Sequence, residues 1–65
     1  MANFYATLCI GDGGGYVTIE APDREVARGK MFASKYGKQW AFLYDESEKA
    51  EAIDQYNEPE KDFIW

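Results

Sequence analysis

The chain has 65 residues, of which 46% are hydrophobic and 17% aromatic, with a net charge of −5. That composition is too apolar for a disordered chain, and the length allows one domain with a small core, stable by a few kcal/mol at roughly this size. A single cysteine, Cys9, closes no intrachain disulfide, and histidine is absent, so disulfide or zinc stapling and histidine-based catalysis are excluded.

Asn3 to Ile10 alternates, with Phe4, Ala6, Leu8 and Ile10 on one face and Tyr5, Thr7 and Cys9 on the other. Period two with aromatic and β-branched content predicts a strand. Tyr16 to Ala21 repeats the pattern, with Val17, Ile19 and Ala21 opposite Tyr16, Thr18 and Glu20. The intervening GDGGGY makes the pair a β-hairpin, since several glycines allow positive φ at the tip.

That glycine loop also invites comparison with phosphate-binding motifs. A dinucleotide fingerprint would need glycine where Tyr16 stands, and a helix rather than a strand afterwards. A Walker loop would need a lysine that is missing, and Asp12 would repel an anion. The loop is therefore read as a turn.

Pro22 ends the second strand, and Asp23 is placed to cap a helix through DREVARGKMFASKYG, closed by Gly37. Helical spacing puts Arg24, Arg28 and Lys35 on one side and Val26 and Ala33 opposite. Phe32 and Tyr36 flank one edge of the apolar face, and Ala27 and Met31 the other. Gly29 falls on the side expected to be buried, with Lys30 snorkelling at its margin. QWAFLYD then alternates with apolar residues on both faces, which predicts a central strand or one covered on both sides.

In the last third, Asp45 or Ser47 can cap a short helix from about Ser47 to Tyr56, with a strand over Ala50 to Tyr56 as its rival. Asn57-Glu58-Pro59 breaks it, leaving a tail that ends in Phe63, Ile64 and Trp65. The expected fold is α+β: a small antiparallel sheet in ββαβ order, one main helix packed on it and a short acidic C-terminal helix. Residues 1–58 form the domain and 59–65 a tail.

Charge divides the chain unevenly. Residues 1–44 carry four acids and five bases, whereas residues 45–65 carry eight acids and two lysines, a net of −6. Paired carboxylates could serve hydrolysis, but a solvated stretch of like charge has no apolar walls to raise one pKa. Asp45, Glu46 and Glu48 do not match the loop spacing of a calcium site. Tyr5, Tyr16, Trp40 and Tyr44 suggest a base-stacking platform, yet a net charge of −5 opposes direct nucleic-acid binding. The reading left is an interaction surface. Asp45, Glu46, Glu48, Glu51 and Asp54 would steer a basic partner groove, and Tyr56, Phe63 and Trp65 would anchor it.

The order strand, strand, helix, strand over residues 4–44, with the junction VTIEAPDREVARGKMFAS, resembles very small bacteriophage host-takeover proteins. That class includes the phage T7 inhibitor of host RNA polymerase and small type I anti-CRISPR proteins. The resemblance implies a non-enzymatic, cofactor-free inhibitor, encoded by a phage or mobile element, that disables a host nucleic-acid-handling complex in the host cytoplasm. No segment of the sequence is long and apolar enough to suggest a membrane span. The alternative from the residues themselves is a small assembly module that homodimerises through a sheet edge. Monomer and homodimer both remain open at this stage.

Overall fold

The structure is a computed structural model that describes residues 1–8, 14–37 and 39–65. Its elements run β1 (Ala2–Leu8), β2 (Tyr16–Ala21), α1 (Arg24–Ala33), β3 (Trp40–Asp45), α2 (Glu46–Ala52), a 3-10 turn (Asp54–Tyr56) and β4 (Glu60–Ile64). The four strands form one sheet in the order β3-β1-β2-β4, so the fold is α+β. β1 pairs antiparallel with both β2 and β3. Cys9, Ile10 and Gly11 to Gly13 of the expected strand end and loop, and Lys38, lie outside the described residues.

The alternation in the first two strands produces the core. Phe4, Ala6 and Leu8 of β1 join Val17, Ile19 and Ala21 of β2 beneath Ala27 and Met31 of α1. Val17, Ile19, Ala21, Ala27 and Met31 are fully buried. Leu43 of β3 lies across from Ala6, and Ile64 of β4 across from Ile19, which extends this face to both edges of the sheet.

Asp23 caps α1, its carboxylate accepting from the Val26 amide at 2.9 Å. The helix is shorter than its sequence pattern. Ser34 ends it in an extended conformation, with its hydroxyl donating to the Met31 carbonyl at 2.7 Å. A serine side chain that bonds the backbone competes with helix continuation. Gly37 is thus not the left-handed cap expected. It sits in the following turn, where a Cβ would meet the Phe32 carbonyl oxygen at 2.6 Å.

The helix is also rotated relative to the expectation. Its buried residues are Ala27 and Met31, four positions apart, while Val26 and Ala33 are exposed. Gly29 faces solvent, with nothing within 4 Å of the position a Cβ would take. Lys30 does lie along the margin, donating to the Glu20 carbonyl at 2.7 Å.

Two further expectations are corrected by the sheet order. β3 is an edge strand, not a central one, and its two apolar faces are covered only in part. Residues 59–65 hold a strand, β4, which runs parallel to β2 and makes the sheet mixed. Three contacts anchor it. Ile64 packs on the core, Thr18 Oγ1 donates to Glu60 Oε1 at 2.9 Å, and the Tyr16 amide donates to the Pro59 carbonyl at 3.0 Å.

The same arrangement explains the last glycines of the loop. Gly14 and Gly15 have φ of 74° and 112°. A Cβ on Gly15 would stand 2.7 Å from Lys61 Cγ and 2.9 Å from the Pro59 carbonyl oxygen. Gly15 is therefore both a left-handed backbone position and the place where β4 docks.

Candidate functional site

α2 and the 3-10 turn lie on the face of the sheet opposite α1. The anchor is Ile53, which is fully buried. Beside it Lys49 Nζ sits 5.2 Å from the Tyr5 ring centroid and 5.5 Å from that of Tyr16, while bridging to Asp54 at 3.1 Å. Tyr5 and Tyr16 meet edge to face at 6.0 Å. The charge therefore lies over the electron-rich faces of two rings, in a cation–π arrangement. The Asp54 hydrogen bond holds the Lys49 ammonium more basic than usual, and burial, helped by the charge of Glu46, raises the Tyr5 hydroxyl.

The acids named from the sequence divide into two groups. Asp45 caps α2, accepting from the Glu48 amide at 3.0 Å and the Ser47 hydroxyl at 2.6 Å. Glu48 reaches back to the Asp45 amide at 3.1 Å, closing a capping box. Arg24 donates to Glu48 at 2.8 Å, to Asp45 at 3.5 Å and to the Leu43 carbonyl at 2.8 Å. The Ser47 hydroxyl, the Glu48 amide and the Arg24 charge hold the Asp45 carboxyl below the usual carboxylate range. Asp45, Glu48 and Asp54 thus have structural partners within the fold. Glu46 and Glu51 are exposed and make no ion pair among the described residues.

The aromatic anchors are exposed as well: Tyr56 at 66%, Phe63 at 36% and Trp65 at 81%. Phe63 and Trp65 touch, with ring centroids 4.9 Å apart. Phe63 lies across from Thr18, which in turn lies across from Tyr5, so this pair shares the sheet face that α2 covers. α2 nevertheless stands over β1 and β3, while the pair belongs to β4. Three strand spacings, about 14 Å, separate the two edges. The structure therefore splits the expected surface into an acidic helix on one half of the face and an aromatic pair on the other.

Two exposed aromatics lie outside the residues that the sequence singles out for the surface. Phe42 is 64% exposed and leans on Tyr44 at 6.2 Å, at the β3 edge. Phe32, 62% exposed, packs edge to face on Trp40 at 5.3 Å, on the α1 side. Their exposure follows from the edge position of β3, and only the strand order reveals it. A concavity of about 600 Å³ lies beside Phe32, lined also by Ser34, Lys35, Gly37 and Gln39. A second, of about 350 Å³, is lined by Glu60, Lys61, Asp62, Phe63 and Trp65.

Among the described residues, no three acids or cysteines are grouped as a metal site, and no helix is long and apolar enough to cross a membrane. The chain matches no protein-family model, no curated protein and no solved structure. This face exposes the carboxylates of Glu46 and Glu51 and the rings of Tyr56, Phe63 and Trp65.

Proposed function

We propose that the chain is a non-enzymatic protein-binding inhibitor that occupies a basic surface of a host nucleic-acid-handling complex, such as an RNA polymerase or a CRISPR effector. The observation that carries this reading is the net charge of −6 gathered in residues 45–65, with Glu46 and Glu51 left exposed and free of ion pairs among the described residues. Carboxylates of this kind raise the encounter rate with a basic groove, and exposed rings supply the buried contact. The phage or mobile-element origin, and action in the host cytoplasm, follow from the resemblance of plan.

The test titrates the chain into purified RNA polymerase and a purified CRISPR effector, reading out nucleic-acid binding at several salt concentrations. Inhibition that weakens with salt, and weakens further in the double variant Glu46→Lys/Glu51→Lys, is expected. Asp45 and Glu48 are unsuitable for reversal, because their loss would unfold the capping box. Unchanged inhibition and salt dependence in the double variant would remove this reading.

A second reading is a homodimer through a sheet edge. It is favoured by the two outer strands and their exposed aromatics: Phe42 on β3, and Phe63 on β4 with Trp65 just beyond its end. Sedimentation of the purified chain separates the two readings, a tight dimer favouring the second.

A further inference from the structure

β4 pairs only with β2, so its other side is an edge, and the two edges of this sheet are guarded differently. On β3, Arg24 occupies a backbone acceptor, the Leu43 carbonyl, and ties it to α2 through Glu48. On β4 the Phe63 amide has no such outside partner. It donates to the carboxylate of its own neighbour Asp62 at 2.8 Å. That carboxylate stands in for a carbonyl acceptor, and a strand laid alongside could replace it. Beside it lies the 350 Å³ groove between Phe63, Trp65 and the Glu60–Asp62 stretch.

We propose that the outer edge of β4 binds an extended basic segment of a partner by strand addition, with Phe63 and Trp65 holding one of its apolar side chains. This rests on the acidic protein-binding reading above. Main-chain hydrogen bonds would supply affinity, and alternate side chains would supply specificity. The incoming strand takes over the Phe63 amide and frees Asp62 Oδ1 for a cation, while Oδ2 stays with the Tyr36 hydroxyl and Lys35. Charge selects the occupant. Glu58, Glu60 and Asp62 lie on or just before this strand against Lys61 and Lys35, the latter 3.8 Å from Asp62, so the edge stays net acidic. A second copy would bring the same net acidic edge alongside, and like charges on neighbouring strands disfavour pairing.

The probe is an eight-residue peptide alternating Lys and Val, compared with its form N-methylated at alternate residues and with a Glu-Val counterpart. Binding is followed by amide and indole chemical shifts of the intact chain. The expected result is shifts concentrated at Lys61 to Trp65, weakening of about tenfold or more on N-methylation, no binding of the Glu-Val peptide, and about tenfold loss in Trp65→Ala. Shifts at Glu46 and Glu51 with no effect of N-methylation would overturn strand addition while leaving the acidic inhibitor reading intact. Absence of binding by the Lys-Val peptide would overturn it too, as would a dimer whose protected amides lie on β4. The inhibitor reading fails separately, if the Glu46→Lys/Glu51→Lys variant inhibits as before.

Discussion

The two edges of the sheet are closed by opposite means. β3 leads directly into α2, and Arg24 reaches from the first turn of α1 to the Leu43 carbonyl, Asp45 and Glu48 at once. One guanidinium therefore ties two helices and an edge strand together. β4 has no helix over it and relies on pairing with β2, on Ile64 in the core and on side-chain bonds through Glu60 and Asp62. On β3 a cation from elsewhere in the fold occupies a backbone carbonyl, whereas on β4 the Phe63 amide is satisfied only by its neighbour's carboxylate, which a partner strand can replace. Because the edges share one thin domain, substitutions at each should separate what holds the fold from what is left for binding.

The largest effect is expected on the α2 side. Ile53 is the fully buried anchor beneath α2 and the 3-10 turn. Ile53→Ala should cost about 3 kcal/mol, the usual range for a buried isoleucine being 2–5. In a domain of this size that is a large share of total stability. Chemical denaturation measures it, and a loss under about 1 kcal/mol would mean that α2 rests on the sheet without depending on this contact.

The matching break on the other side is Gly15→Ala. A φ of 112° and the close Pro59 and Lys61 atoms leave no room for a side chain. A cost of about 2 kcal/mol is expected from backbone strain and displacement of β4. Amide exchange should show faster opening at Glu60 to Ile64 than in β1. Equal acceleration in both strands would mean that β4 is not a separately detachable edge.

These two positions also show what could be read in the sequence. The hairpin, the core faces of β1 and β2, the Asp23 cap and the existence of an acidic helix follow from local periodicity and capping chemistry, which act within a few residues. The role of Gly15 does not, because its neighbour Lys61 is 46 positions away and parallel pairing leaves no turn signal between partners. β4 itself, EKDFI, carries three charges in five residues and lacks alternation strong enough to mark a strand; its pairing is supplied by β2. The aromatic run WAFLYD suits a central strand equally well, and only the strand order exposes Phe42. At the candidate site, the acidic character of residues 45–65 is legible from counting, but not which acids are engaged. Asp45 and Glu48 are occupied by caps and by an arginine more than 20 positions earlier.

Arg24→Ala should be milder than either break. Its pairs are 43% to 46% exposed on the side chains that meet at Glu48, so the charge contribution is largely screened. Loss of the Leu43 carbonyl bond and both carboxylate contacts should cost about 1 kcal/mol. The sharper readout is association, since the freed β3 edge should raise the dimer fraction in sedimentation. A monomer unchanged at high concentration would show that Arg24 stabilises without guarding the edge. A smaller change of opposite sign is expected at Gly29→Ala, which touches neither edge. The site is open and helical, so stability should rise by about 0.5–1 kcal/mol, with peptide binding at the β4 edge preserved.

The smallest effect compares the edges by pH. The Phe63 amide, the Tyr36 hydroxyl and the Lys35 charge hold the Asp62 carboxyl below its ordinary range, as the Ser47 hydroxyl, Glu48 amide and Arg24 do for Asp45. A depressed folded pKa means that the unfolded chain binds more protons in the window below the ordinary carboxylate value, so stability rises with pH there. The contribution is complete above the unfolded value, near pH 4, and disappears as pH falls through the folded one. Asp62→Asn should remove the β4 part of this slope, and Asp45→Asn the α2 part. Both carboxylates lie at the surface, so added salt should weaken the contributions from Lys35 and Arg24 while sparing the hydrogen bonds from backbone amides. Following the Phe63 amide by NMR resolves the two edges. In the native chain its shift should titrate with Asp62, and in Asp62→Asn it should lose that titration. If it titrates unchanged in Asp62→Asn, the amide is bonded elsewhere, and β4 is a closed edge like β3.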